Sequence, residues 1–168
     1  GRLGRLIYVN DLDKGLRIDN GSIFAPVTIA INVVEFATSG NGSQATPWLG
    51  WEVAFSVVSG STYSGTPGYT YFFCKGWFST PNRMILKAYN TVYGVGSGSV
   101  LKYTGAVIGI DLGGTAGSPE LTEGIQLRDF QLRSTSGTIG ISVFNTSGLK
   151  MSNVFITGRL VEGDSITG

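Results

Sequence analysis

The side chains able to do chemistry in this 168-residue sequence are few: eleven carboxylates, seven tyrosines, three tryptophans and one cysteine. Histidine is absent, so no Ser-His-Asp or Cys-His nucleophile, imidazole base or His-ligated zinc can be assembled. Glu120 and Glu123 come nearest to a catalytic pair, because cleaving a glycosidic bond needs two carboxyl groups about 5–10 Å apart across a groove. A solvated loop is the competing reading of the same two residues. Asp129 reads as a turn former making Asx-type bonds. Gly94-Val-Gly-Ser-Gly98 leads into a strand and not a helix, so it reads as a tight corner and not a phosphate cradle. Asp11-Leu-Asp13 lacks the third ligand and the Gly-to-Glu spacing of a calcium loop. Gly163-Asp-Ser165 holds a serine with no histidine to activate it. Cys74 lies in an apolar run, as an inert core thiol would, and a single cysteine excludes an internal disulfide and a Cys-rich metal site. No metal and no cofactor are expected, and the segment leans away from being an enzyme.

The aromatic residues are the better candidates. Tyr63, Tyr69, Trp77, Tyr89 and Tyr93 lie in and after the Ser/Gly/Thr-rich stretch 59–70, and exposed rings stack on sugar faces while tyrosine adds a hydroxyl. These five are the glycan-binding candidates. Trp48, Trp51 and Phe55 are expected instead to plug the N-terminal end of the core, since an open strand edge must be covered.

The elements that position these residues follow from composition and spacing. Glycine is in excess at 26 residues, and only 14% of residues are charged where about 25% is usual. Yet 42% are hydrophobic and the mean hydropathy is +0.18, which excludes a solvated disordered chain. The net charge of +1 is spread evenly, leaving no basic face for nucleic acid. The longest apolar runs fall far short of the roughly 20 residues of a membrane helix, so no membrane insertion is expected. The chain begins at Gly1 and ends on Asp164-Ser-Ile-Thr-Gly168, which reads as the interior of an element, so a piece of a longer polypeptide is expected.

Short apolar or alternating runs between Gly, Ser, Thr and Asn predict many short strands. One helix is predicted over about 46–58: Thr46 as N-cap, Pro47 in the first position, then Trp48, Trp51, Phe55 and Val58 on one stripe. The informative feature is an internal repeat. Ile125/Leu149, Leu127/Met151, Phe130/Val154 and Leu132/Ile156 match at a spacing of 24, as do Asp129 and Asn153. Gly109-Ile-Asp-Leu112 matches Gly140-Ile-Ser-Val143 at a spacing of 31, the additional residues falling in a loop insertion over 113–120. Coils of three short strands, cornered by Gly, Asn, Asp or Ser and stacked so that like residues superpose, make a β-solenoid. A sandwich or barrel is the alternative.

From residue 33 to 158 the order of motifs resembles the N-terminal part of the pectate-lyase-like right-handed parallel β-helices, most of all those of bacteriophage tailspikes and tail fibres. Val33-Val-Glu-Phe-Ala-Thr-Ser-Gly-Asn-Gly-Ser-Gln-Ala-Thr46 stands where that family has a strand, a Gly-rich loop and then a capping helix. Tyr71-Phe-Phe-Cys-Lys-Gly-Trp-Phe78 is similar to its hydrophobic-PxGxY turn, with Lys75 in place of proline. Thr91-Val-Tyr-Gly-Val-Gly-Ser-Gly-Ser-Val-Leu101 is similar to its L-x-G-x-G-x-x-S-x-L. The acidic residues usual after the loop are here Ser43, Gln44 and Ala45. Residues 1–32 look like a small β-meander of the spacer type found in phage tail proteins, giving a division into 1–32 and 33–168. The resemblance implies an all-β, parallel β-helical virion component that positions a host-glycan-binding region. It would be located in the tail or otherwise extracellular. Its implied partners are two further copies in a homotrimer, other tail proteins and host surface polysaccharide. A polysaccharide lyase or glycoside hydrolase, and a secreted β-helix adhesin, are the alternatives.

Overall fold

Alternating apolar and polar residues closed by turn formers give strands throughout the computed structural model, which describes residues 6–9, 15–19, 24–26, 31–105, 108–115, 118–119, 121–134 and 139–158. The chain divides into two units, Gly1–Ala30 and Ile31–Gly168. In the first, β1 (Leu6–Val9), β2 (Gly15–Asp19) and β3 (Phe24–Pro26) form an antiparallel meander in sequence order.

The second unit begins with β4 (Ile31–Asn32), β5 (Ser56–Ser59), β6 (Thr62–Ser64) and β7 (Thr70–Phe72). It continues through β8 (Gly76–Thr80), β9 (Arg83–Leu86), β10 (Thr91–Tyr93), β11 (Ser99–Tyr103) and β12 (Ile108–Leu112). After two short strands, β13 (Gly114–Thr115) and β14 (Ser118–Pro119), come β15 (Thr122–Glu123), β16 (Gln126–Ser134), β17 (Ile139–Val143), β18 (Thr146–Ser147) and β19 (Lys150–Gly158). It is mostly β, with no α-helix among the described residues, and its parallel sheets curl around a shared core.

Parallel neighbours need crossover connections, and here each crossover is built from strands of another row. One row runs β4, β7, β10 and the front of β16 and β19, with Ile31, Tyr71, Val92, Leu127 and Met151 in register. A second runs β8, β11 and the back of β16 and β19, aligning Phe78, Leu101, Leu132 and Ile156. The third runs β6, β9, β12 and β17, aligning Tyr63, Met84, Ile110 and Ile141, with β5 added antiparallel at its edge. Tyr71, Val92, Leu127, Phe78, Leu101, Leu132, Met84, Ile110 and Ile141 are buried in one cluster, each such side chain contributing about 1.5–3 kcal/mol by leaving water.

The repeat has this register. β16 pairs with β19 at a constant offset of 24 residues, with Leu127 opposite Met151, Phe130 opposite Val154 and Leu132 opposite Ile156. β12 pairs with β17 at 31, Ile110 opposite Ile141. The insertion between them contains the antiparallel pair β13–β14. Asp129 and Asn153 both take positive φ, 59° and 50°, and the Asn153 amide donates to the Asp129 Oδ1 at 3.0 Å. Short polar side chains tolerate this conformation and bond locally, so the corner repeats where the residue type does.

The helix predicted over 46–58 does not form. Trp48 is drawn into a parallel bridge with Phe78, and Leu49 into an antiparallel one with Ser39; the Trp48 N–H donates to the Trp77 carbonyl at 2.8 Å. Gly50 turns left-handed at φ 75°, a conformation glycine reaches without steric cost and one that stops any helix begun at Thr46. Trp51–Ala54 is a single 3-10 turn, and Ser56–Ser59 is strand, as β-branched Val57 and Val58 favour. Without the helix, Trp51 and Phe55 are still buried and Trp48 packs against the core.

Tyr71 is buried against the stacked ring of Phe55, 4.0 Å away, and its hydroxyl accepts from the Thr66 N–H at 2.9 Å. Burial pushes its phenol above the usual value of 10.0. The folded state therefore holds the Tyr71 proton more tightly than the unfolded chain, and the stability this contributes is lost as pH rises from about 10 through the folded value. Tyr71→Phe is expected to lose less stability between about pH 9 and 11 than the parent protein. At neutral pH it should be about 1 kcal/mol weaker, because the Thr66 N–H loses the hydroxyl that accepts from it. Urea midpoints across that range check both signs.

Candidate functional site

Outward-facing residues of adjacent parallel strands lie in rows about 4.8 Å apart, so aromatic and cationic side chains distant in sequence meet on the outer surface. Trp77 on β8, Val100 on β11 and Gln131 on β16 are consecutive in register. Arg133, two residues beyond Gln131 and so on the same side of the strand, lays its guanidinium 4.8 Å from the centre of the Trp77 ring. Its Nε and Nη2 both donate to Gln131 Oε1, at 3.3 and 3.2 Å, which fixes the fork against the indole.

Opposite them stands the loop 40–46. It is braced internally: the Asn41 N–H donates to the Thr46 carbonyl at 3.0 Å, the Ser43 N–H to Asn41 Oδ1 at 3.0 Å, and the Thr46 N–H to Ser43 Oγ at 3.0 Å. Gly42 sits at φ 75° with the Trp48 indole against its Cα, where a Cβ would collide, and its carbonyl accepts from the Trp77 N–H at 2.8 Å. The loop is thereby tied to the strand that carries Trp77. Between loop and strands lies an open groove of about 560 Å³, whose walls carry Lys75, Trp77, Gln131 and Arg133 with Asn41 and Ser43. That volume is in the range of small-ligand sites. Among the described residues, the groove carries two cations and no carboxylate.

The remaining candidates are elsewhere. Tyr93 faces outward on β10, its ring 4.8 Å from that of Phe72, with the Arg128 guanidinium 4.7 Å from its centre. Tyr69 and Tyr89 are exposed on turns whose backbones stack on one another: the Gly68 N–H donates to the Ala88 carbonyl, and the Tyr89 N–H to the Glu123 carbonyl at 2.7 Å. Tyr89, 59% exposed, is held at φ 61°, an uncommon conformation for a bulky residue. Its hydroxyl donates to Glu123 Oε2 at 2.7 Å, and this carboxylate raises the phenol above its ordinary value. Tyr63 is half-buried against the core. Glu120 lies outside the described residues, so the pairing read for Glu120 and Glu123 does too. Among the described residues no group of three or more His, Cys, Asp or Glu is placed to hold a metal. Burial pushes the Cys74 thiol up, and it donates weakly to the Lys75 carbonyl; it is half-buried against the core.

The five candidate rings are thus spread over a groove, a strand row, a turn corner and the core margin. Sequence reasoning missed Lys75 and Arg133 as partners of Trp77. The available signal was Gln131-Leu-Arg133 in the repeated segment, where alternation puts Gln131 and Arg133 outside and Leu132 inside. No family model, curated protein or solved structure matches the chain.

Proposed function

We propose that this chain is a module of a virion tailspike or tail fibre that holds and presents a host-glycan-binding surface, built as a right-handed parallel β-helix from residue 33 to 158. The observation that carries it is the constant parallel register of successive coils, 24 residues between β16 and β19 and 31 between β12 and β17. A chain that returns to the same three rows with its apolar residues superposed supports a coil stack, and right-handed crossovers are the rule for parallel strands. The outer surface supports the glycan reading: Trp77, Tyr93, Tyr69 and Tyr89 are partly or largely solvent-accessible, and aromatic rings with adjacent hydroxyls and guanidinium groups are what sugar faces and edges engage.

Association of three parallel chains belongs to the same proposal, with host surface polysaccharide and neighbouring tail proteins as partners. Exposed apolar residues such as Val57, Val58 and Phe155 are the kind of surface that assembly covers. Two measurements test the reading. Biolayer binding of the chain to a panel of bacterial capsular and O-antigen polysaccharides is expected to give saturable signal for a subset; none across the panel overturns glycan binding. Sedimentation equilibrium is expected to give three times the 17.7 kDa of one chain, and a monomer at all concentrations overturns the trimer.

A further inference from the structure

We infer that the groove between loop 40–46 and the strands bearing Trp77 and Arg133 is a subsite for a carboxylate-bearing sugar unit. This rests on the glycan-binding reading and names the chemical class of its ligand. Lys75 is exposed, and neither it nor Arg133 forms an ion pair with a described carboxylate. Among the described residues the groove wall carries these two bases and no acid, so an anion placed there meets positive charge alone.

The geometry separates their tasks. Gln131 occupies Arg133 Nε and Nη2 through one oxygen, which holds the planar fork in place and leaves Nη1 to meet an anion. Guanidinium groups take carboxylates in directed, charge-assisted bonds. Lys75 runs its aliphatic stem past Gly98, within van der Waals reach of where a Cβ would stand, and brings a compact positive charge to the same space. Trp77 backs the guanidinium from one side, so the cation is presented to the groove on a rigid ring. The amide groups of Asn41 and Gln131 and the hydroxyls of Ser43 and Ser97 suit sugar hydroxyls. A neutral sugar would satisfy the amides and hydroxyls but leave both cations without a counter-charge.

The test is calorimetry of the full chain against a panel of uronate- and sialate-bearing oligosaccharides, each paired with its carboxyl-reduced form, at low salt. At least one acidic member is expected to bind about tenfold tighter than its reduced partner. Lys75→Gln and Arg133→Gln should each remove about tenfold of that affinity at unchanged thermal midpoint, while Arg133→Lys should recover only part of it. If an Arg133 variant fails to fold, Lys75→Gln still decides, because its side chain is solvent-exposed. Equal binding of acidic and reduced forms, or binding that ignores both substitutions, overturns the inference and leaves the glycan reading standing. No binding by any member of the panel, together with no binding to whole polysaccharides, overturns both.

Discussion

Trp51→Ala is expected to lower the free energy of unfolding by about 4 kcal/mol, as large buried aromatics do when truncated. Trp51 is fully buried in the core that the parallel sheets share. Its ring meets the edges of Phe73 at 5.0 Å, Phe78 at 6.1 Å and Phe55 at 6.4 Å, arrangements worth about 0.5–1.5 kcal/mol each beyond simple burial. Its Nε1 donates to the Ser79 carbonyl at 3.1 Å. Alanine would leave a cavity among three phenylalanines and an orphaned acceptor on a buried strand. Trp51→Phe should recover about half of the loss, since it refills much of the volume but not the hydrogen bond. Urea unfolding followed by circular dichroism measures all three proteins. A loss under about 1 kcal/mol for alanine would mean that Trp51 does not close the core, against the usual cost of such a truncation.

The second large effect concerns Arg83 and Asp111, which face each other from adjacent strands β9 and β12 through Arg83 Nη2 and Asp111 Oδ2. Their surroundings are unequal: the Asp111 side chain is 1% exposed and that of Arg83 28%. Removing the arginine strands a carboxylate in the interior; removing the aspartate leaves a guanidinium that reaches water. Arg83→Met is therefore expected to cost about 3–5 kcal/mol, the usual loss when a buried charge loses its partner, and Asp111→Ala about half as much. The double variant Arg83→Met/Asp111→Leu should be more stable than Arg83→Met alone, because apolar replacement of both partners removes the desolvation penalty. A double-mutant cycle in urea gives the coupling, and equal losses for the two single variants would contradict the asymmetry.

Both effects bear on how much of the fold is legible in the residues alone. The offset of 24 is legible because in-register parallel pairing sets like residues side by side, and Leu127, Phe130 and Leu132 meet Met151, Val154 and Ile156 as aligned. Asp129 and Asn153 mark a corner because so few residue types accept its backbone conformation. The helix reading fails because spacings of three and four between Trp48, Trp51, Phe55 and Val58 suit a helical stripe but are met equally by a bridge, a 3-10 turn and a strand in succession. The burial divides that stripe: Trp51 and Phe55 are core, whereas Val58 is 58% exposed on a strand. Gly50 inside the stripe is the contrary signal. The groove is illegible for a different reason. Lys75 and Arg133 become neighbours only through the registers of β8, β11 and β16, and Asn41 joins them only through the bond from the Trp77 N–H to the Gly42 carbonyl, none of which local spacing encodes.

The constant 24-residue step from β16 to β19 also converts sequence length into distance. Neighbouring strands are about 4.8 Å apart whatever their side chains, so the step from β16 to β19 widens the sheet by that amount and no more. Duplicating residues 124–147 as one block should therefore lengthen the module by a single such increment while leaving the outer loops free to vary. Under the proposed β-helical reading, a part of this kind works as a ruler with a fixed graduation: reach is set by counting repeats, and surface chemistry is set repeat by repeat, each without disturbing the other.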